Sequence, residues 1–466
     1  MARGAGSAVR ARVVEEAPAS AEDRKKPPVK QDVHKEDAAP KQEAAPSSTP
    51  KPKKQPTVTK GTDLQDVYQP ASQSASLGTL IPKNMAAPIR DALENLREKH
   101  GDIDAFVAKE LGYKDAAELA GRFAGEQVDA IALAIDNMSR GAGFITGDQT
   151  GIGKGRVNAA IIRWAKRNGK TPVFVTMKPE LYADMIRDLN DIGETGFNPL
   201  PTNKLRGKNA IALPDGGKLE SPSNLDKVIA KAISQGKLEG FDGIFTTYSQ
   251  LAPSNGKDSP RRELLRSLNE NTVLILDESH NAGGSDKGKY KKKDAAKSTG
   301  SFLRERIAES PNGVFYSSAT YAKRPDVMSL YAKTDMQHAV EDLDQLTEIM
   351  SRGGIPMQQA VATMLTQAGQ YIRREKSFEG ATVDTVPAPV DMKVAERTAG
   401  IMGRIMAFDT AREGDIKNIE KQLAGSGEAV LADGSIGKQG MHSTGFSSIM
   451  HNLIGQYTLS MKADAA

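Results

Sequence analysis

Gly147-Asp148-Gln149-Thr150-Gly151-Ile152-Gly153-Lys154-Gly155-Arg156 is the stretch on which the fold turns. An apolar segment ending in Phe144-Ile145-Thr146 precedes it, and Val157 to Ala165 follows with helical spacing. The order is strand, glycine-rich turn, helix. Such a turn points successive backbone N–H groups at an anion, and the helix N-terminus adds partial positive charge. Glycines let the backbone approach phosphates closely, in conformations that side chains disfavour. Lys154, at the end of the turn, has the reach to meet the outer phosphates of a nucleotide. The general phosphate-loop pattern wants Gly, four residues, Gly-Lys, then Ser or Thr. Here Asp148 stands in the first glycine's place. Gly155 stands where a hydroxyl normally helps hold magnesium. Taken alone, the loop fits a phosphate site and a glycine-rich surface turn equally well.

A second motif decides between them. Val273-Leu274-Ile275-Leu276-Asp277-Glu278-Ser279-His280 is an apolar run that ends in two carboxylates. A continuous apolar run reads as a buried parallel strand. Carboxylates at its C-terminal end lie where open α/β sheets bind ligands. An ATPase needs one carboxylate to hold magnesium and another to orient and polarise the attacking water. Asp277 suits the first role and Glu278 the second. A third apolar run, Gly313 to Ser317, leads into Ser318-Ala319-Thr320. Pro172 to Thr176 and Gly243 to Thr247 complete the expected strands. The reading is an α/β, RecA-like P-loop NTPase lobe with a parallel sheet.

Loop, acidic strand and Ser-Ala-Thr, in this order, carry a family likeness. Thr150-Gly151-Ile152-Gly153-Lys154 resembles the Thr-Gly-x-Gly-Lys loop of superfamily-two helicases. Further segments extend the likeness: Tyr68-Gln69-Pro70-Ala71-Ser72, Gly78-Thr79-Leu80-Ile81-Pro82-Lys83-Asn84-Met85, and Glu126 to Ile131. So do Val173-Phe174-Val175-Thr176, Arg187 to Gly193, Gly353-Gly354-Ile355-Pro356 and Tyr371-Ile372-Arg373-Arg374. Over roughly 63–466 the chain resembles the N-terminal ATPase half of the strawberry-notch family. That family has bacterial and phage members resembling DNA helicase and anti-restriction proteins.

The resemblance implies roles at matching positions. Gln127 would read adenine, although its residue pattern alone fits a solvated helix glutamine. Thr150, Gly151, Gly153, Lys154, Gly155 and Arg156 would hold the nucleotide. Asp277 would hold Mg²⁺ beside ATP, and Lys154, Asp277 and Glu278 would carry the chemistry. His280, Ser318, Ala319 and Thr320 would couple the site to a second motor lobe. Gly155 and Arg156 agree with the family's Gly-Lys-Gly-Arg ending, so the missing hydroxyl is read as a family trait. The second RecA-like lobe, which supplies transition-state arginines, is not recognisable after Thr320. A separate polypeptide is therefore expected to supply it, or the chain is a split or truncated product, and alone a poor motor. A non-hydrolysing nucleotide-binding module stays open as an alternative. So does a phage structural or anti-restriction protein with a relict ATPase fold.

The rest of the chain divides by composition. Residues 1–62 are rich in Ala, Pro, Lys and Glu, with eight of the chain's 24 prolines in the first sixty positions. Such a stretch cannot bury enough apolar surface to offset chain entropy, so it reads as a disordered tail. Its thirteen Lys/Arg against eight Asp/Glu leave it near +5, and the remainder near −1 of the overall +4. Interspersed acids favour a linker over a nucleic-acid arm. Residues 63–144 read as a helical lead-in, 145–345 as the ATPase lobe, and 346–466 as a mainly helical extension. Lys287, Lys289, Lys291, Lys292, Lys293 and Lys297 crowd a glycine-containing loop, which fits DNA phosphates or plain solvent. Tyr248-Ser249-Gln250, after a strand end, fits a nucleic-acid contact or an ordinary loop. The absence of cysteine excludes disulfides and cysteine–metal sites. Six scattered histidines show no metal-ligand spacing. No run approaches the roughly 18 apolar residues of a membrane helix, and no apolar signal region opens the chain. The setting expected from the resemblance is the cytoplasm of a bacterial or phage-infected cell, or association with a virion.

Overall fold

A computed structural model describes residues 64–253, 257–282, 298–319, 325–338, 343–377, 392–425, 454–457 and 460. The tail, Thr320 and the lysine run at 287–297 lie outside these residues.

Seven parallel strands form the central sheet. In chain order they are β1 (Gly143–Thr146), β2 (Thr171–Thr176), β3 (Pro199–Pro201), β4 (Gly243–Thr247), β5 (Thr272–Asp277), β6 (Val314–Ser317) and β7 (Tyr371–Ile372). Their order across the sheet is β7-β1-β6-β5-β2-β4-β3. Each inner strand is buried along its length, which is why these runs are continuously apolar rather than alternating. Phe144 stacks on Phe315 with centroids 6.0 Å apart, and Phe174 meets Phe245 edge-on at 5.3 Å.

Helices fill the connections and the lead-in: α1 (Lys83–His100), α2 (Ile103–Leu111), α3 (Ala116–Ala120), α4 (Gly125–Ser139), α5 (Lys154–Arg167), α6 (Leu181–Asp191) and α7 (Leu225–Gln235). They continue with α8 (Pro260–Ser267), α9 (Thr299–Glu309), α10 (Leu343–Gln367) and α11 (Met392–Gly425). The crossover through α5 moves outward across the sheet, whereas those through α8 and α9 move back. Right-handed crossovers in opposite directions cover opposite faces, so the sheet is doubly wound. Packing agrees: α4, α5 and α6 contact one another in succession, as do α7, α8 and α9. The change of direction opens a crevice at the carboxyl ends of the strands, where such sheets bind ligands.

Two strands escape the periodicity of the sequence. β3 contains two prolines, which give no ladder donor and fit only at an edge. β7 lies beyond the 345 boundary expected for the lobe, and pairs with β1. A small sheet joins the start of the described chain to the segment after β7: Gln65–Val67, Thr79–Pro82 and Glu375–Lys376. Among the described residues there is one parallel sheet of this kind. No described helix is long and apolar enough to cross a membrane.

Candidate nucleotide site

The loop between β1 and α5 has the geometry its glycines imply. Gly151 and Gly153 both have φ of +94°, a region that residues with a side chain rarely enter. Gly153 caps α5 without any side-chain acceptor. Among the described residues, the N–H groups of Gly153, Lys154 and Gly155 have no acceptor. An uncapped helix N-terminus with free N–H groups is an anion site. Lys154 Nζ donates to the Asp148 carbonyl at 2.8 Å, so the ammonium spans the mouth of the loop.

The two positions that break the general pattern have structural causes. A Cβ on Gly155 would lie 1.9 Å from Asp188 Oδ2 of α6, so the hydroxyl residue of the general pattern would have to displace the Asp188 carboxylate. Asp148 faces away from the phosphate cradle. Its carboxylate receives Arg374 Nε at 3.1 Å, Arg374 Nη2 at 2.6 Å and the Arg374 backbone N–H at 2.9 Å. Both side chains are buried, and Arg374 also donates to the Glu126 carbonyl at 2.5 Å. Burial works against the guanidinium's charge, but Asp148, Tyr68 and Asp129 together outweigh it and hold the Arg374 pKa above its ordinary value. The guanidinium lies 4.9 Å from the centre of the Tyr68 ring, and Tyr68 donates to Asp129 at 2.7 Å. Asp129 also accepts the Ala71 and Ser72 N–H groups. Burial pushes its carboxyl up to about 6, against the opposing hydrogen bonds and the Arg374 charge.

At the carboxyl edge of the sheet, register places Thr146, Ser317, Asp277, Thr176 and Thr247 side by side. In a parallel sheet such neighbours share a face, here the α5 face. Asp277 accepts Thr176 Oγ1 at 2.9 Å and Asn158 Nδ2 of α5 at 3.2 Å. Burial raises the Asp277 carboxyl above its usual range; Thr176, Asn158 and the Lys154 charge oppose this, while Glu278 adds to it. Thr146 Oγ1, Ser317 Oγ and Asn158 Oδ1 are buried without a hydrogen-bond partner among the described residues. Orphaned buried oxygens beside a desolvated carboxylate are what a hydrated divalent cation would satisfy. The residues present therefore fit a magnesium–nucleotide.

Glu278 follows with φ of +47°, alone among the described non-glycine residues in that region. Its carboxylate lies 3.3 Å from His280 Nδ1, and the same nitrogen lies 2.8 Å from Ser318 Oγ. Ser318 in turn donates its N–H to the Thr146 carbonyl beside the loop. Acid, histidine and serine thus form one connected chain from β5 to β6.

Not every residue singled out in the sequence faces the cradle. Gln127 packs against it: Oε1 accepts the Ala124 N–H at 3.1 Å, and Nε2 donates to the Ile152 carbonyl at 2.9 Å. One amide hydrogen and one lone pair remain for a base. Arg156 points elsewhere, to Asp191 at 3.1 Å and the Arg122 carbonyl at 3.2 Å. Thr150 and Gly151 are exposed at the rim, and Ala319 ends the described turn. Tyr248 is buried and donates to the Asp277 carbonyl at 2.8 Å, which leaves Ser249 exposed in its turn. The lysines 289, 291, 292 and 293 lie outside the described residues, as does Thr320. Asn158, Thr146 and Ser317 carry no motif signal; the sheet register finds Thr146 and Ser317, and the packing of α5 on β5 brings in Asn158.

The chain is similar in sequence to several known proteins. The family model for P-loop containing NTP hydrolase pore-1 matches residues 112–397. Protein FORGETTER 1 of Arabidopsis thaliana is 27% identical over 273 residues, covering 54% of this chain and 18% of that protein. Protein strawberry notch of Drosophila melanogaster is 28% identical, covering 53% and 14%. Strawberry notch homolog 1 of Gallus gallus is 30% identical, covering 52% and 18%. The chain spans less than a fifth of the length of these relatives. Among solved structures, the Sulfolobus solfataricus SWI2/SNF2 ATPase core in complex with dsDNA aligns with a TM-score of 0.37 at 15% identity, over 73% of this chain and 64% of that one. With its phosphate loop, acidic strand and sheet edge all inside the matched span, the chain belongs to the P-loop NTP hydrolase pore-1 family and carries a strawberry-notch-like helicase domain.

Proposed function

We propose that this domain binds Mg²⁺-ATP in the crevice between the phosphate loop and β5, and hydrolyses it in work on DNA. The observation that carries the reading is the polar row at the sheet edge, with Asp277 flanked by orphaned oxygens opposite free N–H groups of the loop. The α5 N-terminus and Lys154 receive the phosphates, and Lys154 exchanges its bond to the Asp148 carbonyl for one to phosphate. Asp277, with Thr176 and Asn158 behind it, would hold Mg²⁺, which when bound neutralises phosphate charge and orients the γ-phosphate. Glu278 takes a proton from a water whose oxygen attacks γ-phosphorus. The bond to the β–γ bridging oxygen breaks, and ADP and phosphate leave. His280 and Ser318 sense the Glu278 carboxylate and pass its position to the Ser-Ala-Thr turn. Gln127 reads adenine with the hydrogen and lone pair its loop contacts leave over.

DNA contact is assigned to the lysines 289, 291, 292 and 293 and to the Ser249 turn. Support comes from the density of positive charge, which neutralises phosphates without sequence preference. The Tyr248 bond to the Asp277 carbonyl would link that turn to the magnesium carboxylate. A second RecA-like lobe, from a separate polypeptide or from the remainder of a longer protein of which this chain is a piece, closes over the exposed rim at Thr150 and Gly151. Phage anti-restriction or DNA remodelling is the setting the family resemblance suggests for this work.

A second reading, a module that binds ATP without turnover, is favoured by one observation. Both arginines beside the loop are committed, Arg156 to Asp191 and Arg374 to Asp148. Phosphate release from ATP, with and without duplex DNA, separates the readings. DNA-stimulated turnover abolished in Lys154→Ala and Glu278→Gln is the expected result. Nucleotide binding without turnover, even with DNA, would sink the hydrolytic reading; no Lys154-dependent binding would sink both.

A further inference from the structure

The segment after β7 runs alongside the phosphate loop and is stitched to it. The Gly147 N–H donates to the Ile372 carbonyl at 2.7 Å, and the Gln149 N–H to the Arg374 carbonyl at 2.8 Å. The Lys376 N–H then donates to Gln149 Oε1 at 2.8 Å. On its other side, Glu375–Lys376 pairs antiparallel with Thr79 and Leu80. The Lys376 backbone is thus fixed both to the loop and to the small sheet.

Its side chain lies over the loop. A Cβ built on Gly151 would stand 3.3 Å from Lys376 Nζ and 3.4 Å from Cε. Among the described residues the ammonium has no ion-pair partner. Gly151 is exposed and upstream of the α5 N-terminus, at the outer lip of the cradle. In such a loop the lysine, here Lys154, reaches the β- and γ-phosphates, so the distal phosphate sits beside the loop to which Gly151 belongs.

We propose that Lys376 is a second phosphate-contacting cation, engaging the γ-phosphate of bound ATP. The proposal rests on the ATP-binding reading above. As the bond from γ-phosphorus to the bridging oxygen breaks, negative charge gathers on the oxygens around it, and a cation held there lowers the barrier. Lys376 occupies this place where Arg156 and Arg374 are tied up elsewhere. It comes from a strand 227 positions downstream of Gln149, by the same pairing that holds the loop in shape.

The test is equilibrium binding of a non-hydrolysable ATP analogue and of ADP, with Mg²⁺, to the full chain. Wild type, Lys376→Met, Lys376→Arg and Lys154→Ala are compared. A charge-assisted contact made only by the γ-phosphate predicts that Lys376→Met loses about 10-fold or more in affinity for the ATP analogue. ADP affinity stays within about 2-fold, a few tenths of a kcal/mol. Lys376→Arg retains most of the preference for the triphosphate. Lys154-dependent binding with Lys376→Met equal to wild type, or weakened alike for both nucleotides, would overturn this proposal alone. Wild type binding neither nucleotide would overturn the ATP reading and this proposal with it.

Discussion

Replacing Arg374 by methionine should unfasten the phosphate loop, and the structure sets the size of the effect. The Arg374 side chain is fully buried and Asp148 is 2% exposed. Removing the guanidinium strands the Asp148 carboxylate in the interior with only the Arg374 N–H for company. Breaking a buried pair from one side costs about 3–5 kcal/mol. The Glu126 carbonyl also loses its donor, a further ~1 kcal/mol, and the Tyr68 ring loses its cation. We expect Arg374→Met to destabilise the domain by about 5 kcal/mol. Adding Asp148→Asn removes the stranded charge and should return about half of the loss, because a neutral amide costs far less to bury. Urea unfolding read by fluorescence is the assay. The chain has one tryptophan, Trp164, and it is buried in α5, the helix that follows the same loop. A loss below about 1 kcal/mol in the single variant, or a double variant no more stable than the single, would refute the clamp.

Other consequences are open to simpler tests. Asp129 titrates near 6 when folded, against an ordinary value of 3.8. A raised carboxyl pKa contributes stability fully present below the unfolded value and lost as pH rises through the folded one. That is about 3 kcal/mol between pH 4 and 6. Stability of wild type relative to Asp129→Asn should fall across that window, and parallel pH profiles would show the carboxylate is not desolvated. Gly155→Ser restores the hydroxyl of the general pattern but drives a side chain into Asp188, so we expect a loss of about 1–3 kcal/mol, relieved by Asp188→Ala. A fully stable Gly155→Ser protein with unaltered nucleotide binding would count against that clash. Glu278→Asn should gain up to about 1 kcal/mol in a thermal melt, since asparagine tolerates positive φ better, while losing ATP hydrolysis. Retained turnover would remove Glu278 from the reaction.

The parts of this protein that reside in short stretches are legible in the amino-acid sequence alone. Apolar runs ending at Thr146, Thr176, Thr247, Leu276 and Ser317 are strands within a residue of their observed limits. α1 and α4 carry helical apolar spacing over 91–99 and 127–138. Loop glycines, the acidic pair and their order along the chain suffice for a parallel α/β sheet with a phosphate loop, because strand and helix periods and positive-φ turns are local properties. Contacts between distant residues leave no such trace. Asp148 looks like a flaw in a motif, and only the fold brings Arg374, 226 positions away, to pair with it. Gly155 looks like a missing hydroxyl, and only the packing of α6 puts Asp188 in that space. Arg156 shares the loop's sequence yet serves α6, since side-chain direction on a helix follows its packing partners. β7 is two residues long and shows no periodicity, yet it carries Arg374 and Lys376 to the loop. A short edge strand owes its place to pairing with β1, and pairing across the chain is decided only when the whole sheet is assembled.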